Sequence, residues 1–273
     1  HRYNTADYLN VDPLLGTNEE FEVLCREAAK YGIGIVLDGV FSHTGSDSRY
    51  FNREGRYGEG GAYRDPNSPY RSWYDFDSKY KGGYRSWWGF ETLPEVNEET
   101  PSYVEFITGV GGVIDTWLRR GAAGFRLDVA DELPDEFIEK IRTAVKRVSP
   151  EKFLLGEVWE DATTKFGFDH RRTYLLGKGL DSVMNYPFKN SVLDFVKGKP
   201  AQQAANEILS ICEHYPAPAI NTALNFLSTH DTERALTVIA DEPANGRGRE
   251  WQSGRSVTGE AYEEGMLRLR MAY

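Results

Sequence analysis

The sequence predicts an α/β fold: part of a (β/α)8 TIM barrel, truncated to about five of the eight strands, with a small inserted domain. Three features lead to this prediction. Short apolar runs alternate with longer amphipathic runs along most of the chain. Nearly every apolar run ends beside a side chain that can take part in chemistry. One long segment, rich in glycine and aromatic residues, interrupts the alternation.

The apolar runs have the length and composition of buried strands, and the longer runs have the 3.6-residue period of helices. The expected strands cover residues 33–40, 124–129, 153–158, 180–186 and 223–227. The expected helices cover residues 18–31, 102–120, 134–148 and 190–213. In the second of these helices, three glycines between Gly109 and Gly112 predict a kink, because each glycine weakens a helix by about 1 kcal/mol. Such alternation is typical of a parallel sheet.

Two parallel architectures compete. A doubly wound sheet binds its ligand at one switch point, whereas a barrel gathers functional groups from the C-terminal ends of many strands. A polar side chain lies at or just after the end of almost every expected strand here, which favours the barrel. In chain order they are Asp38 and His43, then Asp128, Glu157 and Asn185, and finally His230 with Asp231.

The aromatic segment, residues 44–100, has no clear strand or helix pattern. A structureless loop of that length is improbable in a compact domain, so we expect a small domain that leaves the end of the first strand. The predicted division is a partial barrel, residues 1–43 and 101–273, and an inserted domain, residues 44–100.

Composition excludes several kinds of partner. The formal net charge is −10 over 273 residues, which would repel a phosphate backbone and argues against nucleic acid. No apolar run reaches the ~20 residues that cross a bilayer, so no membrane partner is expected. The two cysteines, Cys25 and Cys212, form neither a disulfide framework nor a zinc motif.

Arg126 and Asp128 are two residues apart on an expected strand, so their side chains share a face. A neighbouring guanidinium lowers the pKa of a carboxylate, typically by ~1–3 units. We therefore expect Asp128 to be ionised near neutral pH, as a nucleophile must be. For this pair taken alone, a structural ion pair is the alternative.

Glu157 ends an apolar strand and is followed closely by Trp159. Apolar surroundings raise the pKa of a carboxyl group, which suits a proton donor; a helix-capping or salt-bridged glutamate is the alternative. His230 and Asp231 form a pair of a kind that can bind a metal, relay protons or hold hydroxyl groups. Taken alone, such a pair usually has a structural role. Five histidines in the whole chain argue against a His-rich metal centre.

Taken together, Asp128, Glu157 and Asp231 place three carboxylates at the ends of expected strands, without a phosphate loop or a serine-nucleophile motif. This set suits acetal chemistry. One carboxylate attacks, a second protonates the leaving oxygen and then acts as base, and a third stabilises the oxocarbenium-like transition state.

Four ordered segments resemble the motifs of the α-amylase family, glycoside hydrolase family thirteen. They are residues 38–43 (DGVFSH), 124–130 (GFRLDVA), 156–159 (GEVW) and 229–231 (THD). The first departs from the family pattern, because Ser42 stands where asparagine is usual. The inserted segment is similar to the family's domain B.

The resemblance implies that Asp128 is the nucleophile, Glu157 the acid/base and Asp231 the carboxylate that stabilises the transition state. Arg126 would orient Asp128, and Asp38 would shape the site from below. Tyr3 would stack on the sugar, and His43 and His230 would hydrogen-bond it. The implied substrate-binding residues are Tyr3, His43, Arg126, Trp159, Asn185 and His230.

The implied activity is retaining hydrolysis of α-1,4 glucosidic bonds in starch, malto-oligosaccharides, cyclodextrins or pullulan, with α-1,6 bonds left open. Residues 93–97 (LPEVN), 184–188 (MNYPF) and 230–234 (HDTER) are similar to the neopullulanase, cyclomaltodextrinase and maltogenic amylase group. The alternatives are a transglycosylase or glucoside isomerase of the same family, a catalytically silent glucan-binding relative, and a metal-dependent barrel hydrolase.

No cofactor is expected to be required. Many members of the family bind a structural calcium ion, but Ser42 and Glu132 occupy two positions where asparagine and histidine would supply ligands, so this site is in doubt. By the family pattern we expect strands and a C-terminal β domain beyond this sequence, a homodimer in the full-length protein, and instability of this portion alone. Localisation stays open between cytoplasm and secretion.

Overall fold

The computed structural model describes residues 2–240 and 246–273, and the chain divides into two units. The first unit comprises His1–Glu157 and Phe166–Asp181, and the second comprises Val158–Lys165 and Ser182–Tyr273. His1 and residues 241–245 lie outside the described part of the chain. Within that part, no helix is both long enough and apolar enough to cross a membrane.

The first unit contains three parallel strands: β1 (Val36–Gly39), β2 (Gly124–Leu127) and β3 (Phe153–Gly156). They pair in register, so the last residues of the three strands lie side by side. Asp128 and Glu157 are the residues that follow β2 and β3. The register therefore brings two predicted catalytic carboxylates to the same edge of the sheet.

Two glycines allow this sheet to pack as closely as it does. A Cβ atom on Gly124 would lie 2.0 Å from the carbonyl oxygen of Phe153 on the neighbouring strand, and one on Gly156 would lie 2.2 Å from Leu180 Cδ1. Real Cβ atoms do not approach other atoms so closely, which explains why glycine begins β2 and ends β3.

Helices alternate with the strands, as the sequence predicts. They are α1 (Asn18–Ala29), α2 (Pro101–Thr108), α3 (Val113–Arg119) and α4 (Asp135–Val148). Thr17 and Glu20 form a capping box that starts α1. The expected kink is confirmed, because the glycine-rich run separates α2 from α3. Helix α4 buries one apolar face, formed by Phe137, Ile138, Ile141, Ala144 and Val145.

Residues 44–100 form turns, short 3-10 segments and isolated antiparallel bridges. Their aromatic side chains pack on one another: Phe51 is fully buried, and its ring centroid lies 4.8 Å from that of Tyr74 and 4.6 Å from that of Tyr84. Part of the aromatic content therefore serves as a core for this segment. The division into a barrel and an inserted domain stays a prediction.

A short antiparallel hairpin also belongs to the first unit. Its strands are β4 (Phe166–Gly167) and β5 (His170–Arg171), and Phe168 and Asp169 form the loop. Both loop residues have left-handed backbone conformations, with φ values of 52° and 60°.

The second unit contains β6 (Ser182–Val183) and mainly helices. These are α5 (Tyr186–Val196), α6 (Ala201–His214), α7 (Ala217–Ile220), α8 (Ala235–Ala240), α9 (Arg249–Ser253) and α10 (Gly259–Ala272). Two expectations are wrong. Residues 190–213 form parts of two helices, because Gly198 at φ +110° and Pro200 interrupt them. The strand expected at 223–227 is reduced to one parallel bridge between Met184 and Leu224.

Candidate active site

The side chain of Arg126 contacts three carboxylates at the C-terminal edge of the sheet. Its Nη1 lies 2.6 Å from Asp38 Oδ1 and 2.8 Å from Asp128 Oδ1, and its Nη2 lies 2.8 Å from Glu157 Oε2. Arg126, Asp128 and Glu157 are all buried. Because a guanidinium is planar and rigid, it fixes the positions of the carboxylates that it binds. Asp128 and Glu157 are thus held together, as the sequence predicts.

The backbone after Asp128 contributes a further contact to this cluster. Val129 has a left-handed conformation, with φ 41° and ψ 51°, which is an outlier for a β-branched residue. Its N–H donates a hydrogen bond to Glu157 Oε2 at 2.9 Å. Such strain costs about 1–3 kcal/mol and persists where the surroundings impose it, often at active sites. Sequence reasoning missed Val129, because a valine in this position reads as the continuation of a strand.

The protonation of Asp128 differs from the expectation. Burial raises its pKa to about 7; the Arg126 guanidinium lowers the pKa, and the nearby Asp38 and Glu157 carboxylates raise it. The expectation that Arg126 would keep this pKa low is therefore wrong. The Arg126 charge interacts with three carboxylates. Its lowering effect on the pKa of Asp128 is therefore smaller than the raising effect of burial. With a pKa of about 7, Asp128 loses its proton only near neutral pH.

Tyr3 and His43 extend the cluster beyond β1. The Tyr3 hydroxyl donates to Asp38 Oδ2 at 2.9 Å; burial and the Asp38 charge raise the pKa of this hydroxyl, so it keeps its proton. Six of the predicted site residues are therefore in one connected network: Tyr3, Asp38, His43, Arg126, Asp128 and Glu157.

The tautomer of His43 follows from its two neighbours. Its Nε2 lies 3.2 Å from the carbonyl oxygen of Tyr3, which can only accept, so Nε2 carries the proton. Burial lowers the pKa of His43 to about 4, so the ring is neutral at pH 7. The Ser42 hydroxyl then donates to Nδ1 at 3.0 Å. Both ring nitrogens are engaged, and the expected hydrogen bond from His43 to a sugar stays a prediction.

Beside His43 is a cleft of about 800 Å³, here called the Trp88 cleft. Its lining includes Trp87, Trp88, Glu95, Glu98, Glu132 and Phe168. The Trp87 ring links the two regions, because it lies 5.4 Å from the His43 ring. The indole N–H groups of Trp87 and Trp88 donate to the two oxygens of one carboxylate, Glu132.

Four of the predicted residues belong to the second unit. Asp231 and His230 are exposed, and His230 Nε2 lies 3.1 Å from Asp231 Oδ2. The Asp231 N–H donates to Thr229 Oγ1 at 3.2 Å, which helps to shape the loop. The roles of His230 at the sugar and of Asp231 at the transition state stay predictions.

Asn185 and Trp159 have structural partners within the second unit. Asn185 is buried at the start of α5, where its side-chain oxygen accepts from the N–H of Phe188 at 3.2 Å, and so it acts as the helix N-cap. The half-exposed Trp159 ring stacks on Tyr186, with centroids 4.3 Å apart. Their predicted contacts with substrate remain to be tested.

Comparison with known proteins supports the four motifs. Residues 1–252 match the family model described as the alpha amylase catalytic domain.

The chain belongs to the alpha-amylase family.

Relatives within this family include several enzymes whose names describe action on α-glucans. The chain is 37% identical over 276 residues to an amylopullulanase of Thermoanaerobacterium saccharolyticum, covering 90% of this chain and 21% of the relative. It is 33% identical over 256 residues to neopullulanase 2 of Thermoactinomyces vulgaris, covering 90% of this chain and 40% of the relative. The chain thus spans well under two thirds of these relatives.

Solved structures of alpha-amylase family members resemble this one. The cyclic α-maltosyl-(1→6)-maltose hydrolase of Arthrobacter globiformis has a TM-score of 0.77 and 30% identity, over 89% of this chain and 52% of that one. The type III pullulan hydrolase of Thermococcus kodakarensis has a TM-score of 0.80 and 26% identity, over 100% of this chain and 44% of that one. The predicted fold class, a partial (β/α)8 barrel, is confirmed.

Two residues at the family's usual calcium positions do not fit that role. Both oxygens of Glu132 accept hydrogen bonds from tryptophan side chains, and the Ser42 hydroxyl is bound to His43. In the described ranges 2–240 and 246–273, no group of three or more histidine, cysteine, aspartate or glutamate side chains is arranged to hold a metal ion.

Proposed function

We propose that this chain carries the catalytic centre of a retaining α-glucan hydrolase, with Asp128 as nucleophile and Glu157 as acid/base. The observation that carries the proposal is the pair of buried carboxylates that follow two adjacent strands and contact one guanidinium. Membership of the alpha-amylase family supports it.

In the first step an Asp128 carboxylate oxygen attacks the anomeric carbon of the sugar. The glycosidic bond breaks, and Glu157 donates its proton to the leaving oxygen. A covalent bond then joins the sugar to Asp128. The step requires an ionised Asp128 and a protonated Glu157. Because burial raises the pKa of Asp128 to about 7, Asp128 ionises only as the pH approaches neutrality.

In the second step a water molecule attacks the same carbon while Glu157 takes up its proton. The bond to Asp128 breaks, and both carboxyl groups return to their starting states. Each step inverts the anomeric carbon, so the product keeps the configuration of the substrate.

The surrounding residues position this pair. Arg126 and the Val129 N–H hold the two carboxyl groups in fixed orientations, which limits the entropy lost on reaching the transition state. Asp38 holds both Arg126 and the Tyr3 hydroxyl. Asp231 would stabilise the positive charge that develops on the sugar ring.

The substrates are α-1,4-linked glucans, with α-1,6 bonds as a second possibility that the relatives support. Two of them are named amylopullulanase and neopullulanase, and a third is named as a hydrolase of a cyclic maltosyl-(1→6)-maltose. A transglycosylase or glucoside isomerase would use the same carboxylates and would differ in its products. A silent glucan-binding relative is disfavoured, because Asp128 and Glu157 are both present and lie together.

The reaction needs no cofactor, since side chains supply the nucleophile, the acid and the base. The usual calcium site of the family stays in doubt, because both oxygens of Glu132 accept hydrogen bonds from indole N–H groups. The net charge of −10 disfavours nucleic acid. No membrane partner is proposed, and a homodimer of the full-length protein stays a prediction.

The test is product analysis with the intact protein. Pullulan, a cyclodextrin and soluble starch are incubated separately, and NMR follows the anomeric proton of the first product. We expect hydrolysis of at least one glucan with the α-anomer formed first. Asp128→Asn should reduce kcat by far more than tenfold, whereas Asp77→Asn, whose half-exposed carboxylate pairs with Lys79, should not. A β-anomer as first product, or no product from any α-glucan, would refute the proposal.

A further inference from the structure

Two large aromatic side chains of the Trp88 cleft have unusual backbone conformations. Trp88 and Phe168 lie on different segments of the first unit, and both have positive φ values, 50° and 52°. Both are also exposed, Trp88 to 77% and Phe168 to 51%. A bulky residue in this conformation costs free energy, and exposure means that burial does not compensate for it. Strain of this kind typically occurs at ligand sites.

The Trp88 ring is held in one position by a hydrogen bond and by stacking on Trp87. Its Nε1 donates to Glu132 Oε1 at 2.9 Å, while the neighbouring Trp87 donates to the other oxygen of the same carboxylate. The two indoles stack with centroids 5.4 Å apart and an interplanar angle of 25°. Since Trp87 also contacts His43, this aromatic surface is continuous with the catalytic cluster.

The Phe168 ring is fixed by a buried cation. It lies 5.0 Å from Cζ of Arg172, whose side chain is fully buried. Arg172 donates to Asp135 Oδ1 at 2.7 Å and to the carbonyl oxygen of Leu133 at 2.6 Å. These contacts tie the hairpin to the segment that follows Asp128. The Phe168 ring therefore has a defined position relative to Leu133 and Asp135, in the segment that follows β2.

The hairpin sequence is poorly suited to its own turn. A two-residue loop with two left-handed residues is the turn for which Asn-Gly is favoured, whereas this loop contains Phe168 and Asp169. A phenylalanine in the first position is explained by what its ring contacts, not by the turn.

The remaining lining of the cleft suits hydroxyl groups. Glu95, Asn97 and Glu98 supply oxygen and nitrogen atoms for hydrogen bonds. Burial, with a further contribution from neighbouring carboxylates, raises the pKa of Glu98 to about 8. Glu98 is therefore mostly protonated at neutral pH, and its carboxyl group can donate as well as accept. A volume of about 800 Å³ is within the range of ligand pockets.

We propose that Trp88 and Phe168 form a distal sugar subsite that binds a glucosyl residue of an α-glucan chain extending beyond the point of cleavage. Sugar rings present C–H faces that pack on aromatic rings and hydroxyl edges that bind carboxyl and amide groups, and the cleft offers both. This inference rests on the proposed function, because Trp87 connects the cleft to His43 and the catalytic carboxylates.

The experiment measures binding in the intact protein carrying Glu157→Gln, which prevents turnover. Calorimetry gives Kd for maltose and for maltohexaose, in the parent and in variants with Trp88→Ala or Phe168→Asn. The matched control is Phe166→Ala, which removes an aromatic ring of the same hairpin that is 67% exposed. Phe168→Asn suits the turn, so its melting temperature should equal or exceed that of the parent.

We expect each cleft variant to raise Kd for maltohexaose by about tenfold and to leave Kd for maltose within about twofold. Phe166→Ala should change neither. Unchanged maltohexaose binding in Phe168→Asn and Trp88→Ala would overturn the subsite. An equal loss for maltose and maltohexaose would also overturn it, because it would place these rings at the cleavage point. A wild-type protein that neither binds nor hydrolyses any α-glucan would instead refute the proposed function.

Discussion

Replacing Asp128 with asparagine should stabilise the protein at alkaline pH, although it removes the proposed nucleophile. Asp128 is buried, and its pKa is raised from an ordinary 3.8 to about 7. Between these two values the folded protein binds a proton at this site that the unfolded chain has released. The free energy of unfolding therefore falls as pH rises through this window. Asparagine cannot ionise and avoids that loss.

The size of the effect follows from the two pKa values. Each unit of difference between folded and unfolded pKa is equivalent to about 1.4 kcal/mol, so ionising Asp128 costs the folded state up to about 4 kcal/mol once the pH exceeds 7. About 3 kcal/mol of this cost develops between pH 5 and pH 8. For a protein of this size, 1 kcal/mol corresponds to roughly 2–4 °C in melting temperature.

The assay is thermal and urea unfolding of the wild type and Asp128→Asn at pH 5 and pH 8. The advantage of asparagine should be about 1–2 kcal/mol at pH 5 and should grow by about 3 kcal/mol at pH 8. Asp181→Asn is a control of opposite sign. Its carboxylate binds Arg142 and Lys146, and hydrogen bonds to these groups hold the pKa of Asp181 below its ordinary value despite burial, so this variant should lose stability, most clearly at neutral pH. An Asp128→Asn advantage that does not grow with pH would refute the reasoning.

Three further predictions concern activity and calcium. The acidic limb of kcat/KM against pH should have its midpoint far above 4 and towards 7, because Asp128 must be ionised; a midpoint near 4 would contradict the raised pKa. Arg126→Lys keeps the charge and loses the planar fork, so kcat should fall by at least about tenfold, and steady-state kinetics showing unchanged kcat would exclude a positioning role. Adding EDTA should leave the melting temperature unchanged, since Glu132 binds Trp87 and Trp88; a marked decrease would indicate a structural metal.

The sequence predicts the centre of the site well, for a geometric reason. Parallel strands that pair in register have level C-terminal ends, so residues that follow successive strands must meet. That logic brings Asp128 and Glu157 together, and the two-residue spacing puts Arg126 on the same face. Asp231, in the second unit, is beyond what this register determines, and its place in the site stays a prediction.

Other features depend on information that a local reading of the sequence does not contain. The pKa of Asp128 reflects burial and the Asp38 carboxylate on another strand, so the Arg126 spacing alone gave the wrong direction. The left-handed conformations of Val129, Trp88 and Phe168 are imposed by tertiary contacts and have no side-chain signature.

The helix expected at 190–213 failed for a different reason. Gly198 and Pro200 are local signals of an interruption. The amphipathic pattern continues on both sides of them, however, and so predicts a single helix. Here the information was present in the sequence and was outweighed by periodicity. The strand prediction for residues 223–227 was wrong because a short apolar run does not by itself determine whether it pairs with a neighbouring strand.

The most direct test of the central claim is to trap the covalent intermediate. The intact Glu157→Gln variant would be incubated with an α-maltosyl fluoride, whose leaving group needs no acid, and digested for mass spectrometry. Because glutamine cannot activate water, the maltosyl group should remain on the peptide that contains Asp128, attached to that side chain. A label on another residue, or rapid turnover with no label, would contradict the account.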